Sequence, residues 1–170
     1  MSNPVLTRER VHELAEACSD AQQAFQSTAT RLVNEQRRLG RFFEQNVSTM
    51  GPLPGHVALY MFAVVLRIYE QSGGRMTKVN GRDLDQASAR IAQVTESLLP
   101  ADRAFAERAK KVSWRAQPHI LDEILWALFE RDASEKKEGE VDLDHQQSVM
   151  VYLLLWAAVE ALEKNWSAEA

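Results

Sequence analysis

Residues 149–159, VMVYLLLWAAV, run eleven positions without a charge, an amide or a turn former. No other feature of the chain restricts its fold as much, because a helix that is apolar on every side must be covered on every side. A bilayer, the protein's own core and a partner are the three available covers. Crossing the hydrocarbon layer takes about 20 apolar residues in a helix. The run is shorter than that and Glu160 follows it directly. Residues 57–66, VALYMFAVVL, form a second apolar run that ends at Arg67. Both read as core helices, and no membrane is expected.

What surrounds these runs is patterned as helix. Val11, Leu14, Cys18, Ala21, Phe25, Thr28 and Leu32 recur at alternating steps of three and four, the seam of an amphipathic helix. Continued through Leu39 and Phe42, the seam predicts one helix of about 35 residues, roughly 50 Å long at the standard rise. Pro4 and Thr7 are its entry signals, and Gly40 is a kink or an end. A helix of that length spans the whole bundle or reaches into a second subunit.

Turn formers then divide the chain. STMGPLPGH (48–56) predicts a turn, and a helix follows from about His56 to Gln71, ended by Gly73 and Gly74. GGRMTKVNG reads as an interhelical loop. Beyond it Leu84, Ala87, Ile91, Val94 and Leu98 return to helical spacing until Pro100 breaks the pattern. A shorter helix is expected over 101–113, with Phe105 and Val112 on its apolar side. Pro118 suits the first turn of a helix running to about Arg131, with Ile120, Leu121, Ile124, Leu125, Leu128 and Phe129 facing inward. DASEKKEGEVDLD is a charged loop, and the last helix covers 143–166 with Asp142 as its N-cap.

No segment alternates with period two over a useful length. The expected fold is therefore all-α: residues 1–170 form one helical-bundle domain of about six helices, with a long N-terminal helix, two highly apolar central helices and essentially no sheet. A chain of this length buries roughly 70% of its unfolded surface. Its 45% apolar and 26% charged residues are the ordinary globular balance. Cys18, the single cysteine, has no partner for an intramolecular disulfide and reads as a small buried residue. The start, MSNPVLTRERVHEL, has no apolar core behind its charges, so no signal peptide is read there and the cytoplasm is the expected compartment.

Signals for chemistry are sparse. His12, His56, His119 and His145 all lie near predicted helix starts, three of them in Glu9-x-x-His12, His119-x-x-Asp122 and Asp142-x-x-His145. Such pairs supply ligands in helical-bundle di-iron sites, but there they sit in mid-helix beside additional glutamates. Here they occupy opening turns, where capping alone favours acids. A metal would use His119, Asp122, Glu123, Asp142 and His145; none is favoured, and no cofactor is expected. No nucleophile elbow, phosphate-binding glycine loop, paired zinc cysteines or kinase signature occurs. No catalytic residue is named, and the reading leans away from an enzyme.

Charge is unevenly distributed. Residues 51–118 carry ten Lys and Arg against six Asp and Glu, whereas 119–170 carry four against twelve. Arg31, Arg37, Arg38 and Arg41 form one basic cluster. Arg108, Lys110, Lys111 and Arg115 form another, around Trp114. Cations interleaved with an aromatic residue suit phosphates and bases, but a net charge of −4 does not favour nucleic acid. Because Trp and Arg carry much of the energy of protein interfaces, Arg37, Arg38, Arg41, Trp114, Arg115 and Trp166 are the partner-binding candidates, while Trp126 and Trp156 read as core. The expected function is protein–protein interaction by a small soluble helical protein, of adaptor, inhibitor or immunity type, self-associating as a homodimer. The alternatives are a metal- or small-ligand-binding bundle, with catalysis as an option, and a nucleic-acid-associated regulator.

Overall fold

The computed structural model describes residues 3–131 and 142–169, so most of the charged loop expected after Arg131 lies outside the described residues. Within them the chain is all-α, a bundle of eight α-helices with one π-helical turn and a two-residue antiparallel ladder.

The single N-terminal helix expected from the seam is three helices: α1 (Arg8–Ala21), α2 (Ala24–Glu35) and α3 (Arg37–Val47). Thr7 caps the first as expected, its side chain accepting from the Arg10 N–H. The seam itself survives the breaks, with Val11, Leu14, Cys18, Phe25, Leu32 and Leu39 all buried. Its continuation shifts by one residue: Phe43, stacked on Phe62 at 4.1 Å between ring centroids, is fully buried, and Phe42 only partly. The first break falls at Gln22, whose φ of 50° is left-handed. The second falls at Gln36, whose buried side-chain amide donates to the Thr77 carbonyl and accepts from the Val79 N–H, each at 3.0 Å. A straight rod has only one line of contact; bent twice, the seam follows the bundle.

Helix α4 (Pro52–Gln71) starts four residues earlier than expected, because Pro52 and Pro54 sit in its first turn, where a missing N–H costs nothing. At 20 residues with a mean hydropathy of 1.3 over its most apolar stretch, it is long and apolar enough to cross a membrane by length and composition. The ten-residue run alone had been too short. In the structure α4 instead packs on α1, α2, α3 and α8, the last being His145–Lys164.

Strands β1 (Arg75–Met76) and β2 (Trp166–Ser167) pair within what the sequence presents as a loop and a helix end. Gly74, at φ 72°, makes the approach possible: a Cβ there would lie 2.3 Å from the Ser167 carbonyl oxygen. Helix α5 (Gly81–Leu98) begins at Asn80, which accepts from the Asp83 N–H, and stops before Pro100 as expected. Helix α6 (Phe105–Lys110) is shorter than the 101–113 predicted.

Helix α7 (Pro118–Leu125) does not continue as an α-helix to Arg131. Trp126–Glu130 form a π-helical turn, closed by the Arg131 N–H donating to the Trp126 carbonyl at 2.7 Å. The cap of α8 is Asp144 in place of Asp142, in a reciprocal capping box with Gln147. Helix α8 forms the centre of the bundle, against α4, α5, α7, the π turn and α3.

Candidate functional site

A cavity of about 420 Å³ opens between α1, α4, α7, the π turn and the start of α8. Its interior wall is apolar, with Val64, Val65, Ile68, Ile120 and Ile124 all buried. The local cause is α4, which carries Leu53, Val57, Tyr60, Met61 and Val64 on one helical face. No helix fully covers this stripe, and Leu53 and Tyr60 stand 36% and 41% exposed. The π turn forms the facing wall through Trp126, Ala127 and Leu128. One additional residue in that turn rotates the side chains beyond it relative to a regular helix, and such turns recur at functional sites.

Polar groups enter this wall at few points. Ser148, in the first turns of α8, is 1% exposed, and its Oγ has no hydrogen-bond partner among the described residues. A buried hydroxyl left without a partner costs about 1–3 kcal/mol. Glu123 of α7 presents a buried carboxylate that is held from behind by α1: Arg8 pairs with it, and His12 Nδ1 lies 3.0 and 3.1 Å from its two oxygens. The His12 ring in turn meets Trp126 edge-on at 5.3 Å. At the mouth stand Glu16, His56, Tyr60 and Asp142, all exposed. Burial raises the Tyr60 phenol above its ordinary range, the Glu16 carboxylate adds to this, and Ser19 and Arg131 oppose it.

A second depression of about 400 Å³ lies beside the β1–β2 ladder. Three of its polar side chains already have partners: Gln36 with the 77–79 backbone, Glu70 with Arg31 and Arg67, and Trp166 Nε1 with the Gly73 carbonyl at 3.0 Å. The first cavity is therefore the stronger site.

The metal candidates do not converge. Asp122 pairs with Arg115 at 2.8 Å, Glu123 with Arg8, and His145 stacks on Phe129. His119 Nδ1 is buried without a hydrogen-bond partner among the described residues, away from the cavity wall. Among the described residues no three His, Cys, Asp or Glu side chains are gathered as a metal ion requires. Glu123 and Asp142 do line the cavity, as separate carboxylates.

The partner candidates divide. Arg37, Arg38 and Arg41 are exposed on α3 and form no ion pair among the described residues. Arg115 is buried, donating to Asp122 and to the Val112 and Lys110 carbonyls. Trp166 folds back onto Tyr69 at 5.1 Å, and Trp114 stacks on Trp156 at 5.1 Å with the Arg90 guanidinium 3.9 Å from its ring. Arg108 and Lys110 are likewise engaged, with Asp102 and with Glu130. Cys18 is buried, and burial pushes its thiol up to about 11, which leaves little thiolate at neutral pH.

Sequence reasoning named neither Ser148 nor Glu16 nor Tyr60. A signal for Ser148 was present, since it is the only hydroxyl between the cap of α8 and its apolar run. In comparisons with family models, with curated proteins and with solved structures, the chain matches none.

Proposed function

We propose that the chain is a binding protein that holds a small, largely apolar ligand in the cavity between α1, α4, α7 and α8. The observation that carries this reading is the Ser148 hydroxyl, without a hydrogen-bond partner among the described residues, on the wall of a cavity of about 420 Å³ whose interior is lined by Val64, Val65, Ile68, Ile120 and Ile124. Ligand sites in helical bundles have this form: roughly 300–1,000 Å³, apolar walls and a few placed polar groups. The π turn at the facing wall supports it.

The test is to fill the cavity from the side most tolerant of change. Ala15 lines it from α1 and is half-buried, so Ala15→Trp occupies the space with little cost to the core. Titration of a neutral apolar probe, 4-(1-naphthyl)butanol, followed by calorimetry, is expected to give saturable one-to-one binding to the wild type and none to Ala15→Trp at an unchanged melting temperature. Equal binding to both, or to neither, would remove the reading.

A protein partner, or a second copy of the chain, is the second reading. Supporting it are the three exposed arginines of α3, which form no ion pair among the described residues, and the acidic balance after residue 118, complementary charges of the kind that steer association.

A further inference from the structure

Acidic side chains outnumber basic ones among the described residues that line the cavity. Counting histidine as neutral, three carboxylates, Glu16, Glu123 and Asp142, line it against one guanidinium, Arg131. Glu123 is neutralised from outside the wall by Arg8. Arg131 and Asp142 are engaged as well, whereas Glu16 is exposed at the mouth on α1 and forms no ion pair among the described residues. The Tyr60 ring lines the same mouth and is 41% exposed. A carboxylate and an aromatic ring at the rim of an apolar cavity together suit a cation with an apolar body, through Coulomb attraction and cation–π contact.

Resting on the binding reading above, we propose that the ligand is an amphiphilic amine: an apolar molecule with one positive charge, its ammonium held at the mouth by Glu16 and Tyr60, its body against Val64, Ile68, Ile120 and Ile124. At the packing density of a protein interior the cavity accepts roughly 15–20 non-hydrogen atoms, the size of a two-ring aromatic or a medium alkyl chain with its amine. A ligand carboxylate is disfavoured at the same place, because it brings a second negative charge to Glu16. The neutral alcohol of the same shape falls between, since it keeps the apolar contacts and loses the charge.

Three probes of one shape separate these cases: 4-(1-naphthyl)butylamine, 4-(1-naphthyl)butanol and 4-(1-naphthyl)butanoate, each titrated calorimetrically at neutral pH and low salt. The expected order for the full chain is amine first, the alcohol weaker by about tenfold, as one partly screened charge pair provides, and the carboxylate weakest. Glu16→Gln is expected to bring the amine down to the level of the alcohol while leaving alcohol binding unchanged. Glu16→Lys is expected to make the carboxylate the better ligand. Exposure of Glu16 keeps both variants folded, which circular dichroism checks.

Binding of amine and alcohol with equal affinity, or best binding by the carboxylate, would overturn the charge assignment and leave the cavity as a binding site. An amine preference that Glu16→Gln does not reduce would overturn the role of Glu16. Failure of all three probes to bind the wild type better than Ala15→Trp would overturn the binding reading itself, and the ligand class with it.

Discussion

Helices α4 and α8 are equal in length, 20 residues each, and each carries one of the two long apolar runs, yet they are used differently. In 149–159 only Met150 and Leu153 escape burial; in 57–66 Val57, Leu59, Tyr60 and Met61 all do. Helix α8 lies at the centre and finds cover within the chain for all of its run but Met150 and Leu153. Helix α4 is covered by α1, α2, α3 and α8 and leaves one stripe facing the cavity. An apolar run thus states that cover is needed and leaves its source open. The same chemistry makes a core in one helix and a wall in the other.

The difference predicts unequal responses to truncation. Trp156, fully buried in α8 between Trp114 and Tyr152, is expected to cost about 3–5 kcal/mol when changed to alanine. Tyr60→Ala in α4 is expected to cost within about 1 kcal/mol, as surface changes do. Urea denaturation of the two variants measures the gap, and equal losses would break the comparison. A smaller effect of opposite sign is expected at Ser148. Its hydroxyl is buried without a partner among the described residues, so Ser148→Ala raises the stability of the ligand-free chain by about 1 kcal/mol. A loss of stability would show that the hydroxyl is used inside the fold and sharpen α8 into a purely structural helix.

The smallest effect concerns the C-terminal end of α8. Burial raises the carboxyls of Glu160 and Glu163 above their ordinary 4.5, although Glu160 accepts from the Ala116 N–H and Trp156 Nε1–H and Glu163 from Gln117 and Tyr69. The folded chain therefore keeps protons that the unfolded chain has released, and this contribution to stability is lost as pH rises through the raised values. The variant Glu160→Gln/Glu163→Gln retains the acceptor oxygens without the charge. Its stability is expected to vary less with pH than that of the wild type from about pH 4.5 upward, measured by denaturation at several pH values; parallel curves would place no buried charge at this end of α8.

Much of the fold was legible from local rules. Thr7, Pro100 and Pro118 mark helix ends because they act on the backbone within one turn, and the seam from Val11 to Leu39 is the one that is buried. Asp144 followed three residues later by Gln147 is a capping signature that the sequence already carries, although Asp142 satisfies the simpler rule. The breaks at Gln22 and Gln36 were not legible. Gln36 leaves its helix to bond the backbone of residues 77 and 79, partners about forty positions away. For the same reason the candidate site was poorly legible: its residues come from four helices and a π turn, and none is unusual among its sequence neighbours.

By itself the sequence determined that the chain is helical, where some of the helices begin or end, and that two apolar runs require cover, since periodicity, caps and prolines act over a few residues. Only the tertiary structure decided that the first seam bends twice, that a π turn follows α7, and that α4 keeps a stripe open to a cavity while the run of α8 is covered except at Met150 and Leu153. Those outcomes depend on which surfaces meet, and burial is a property of the packed whole.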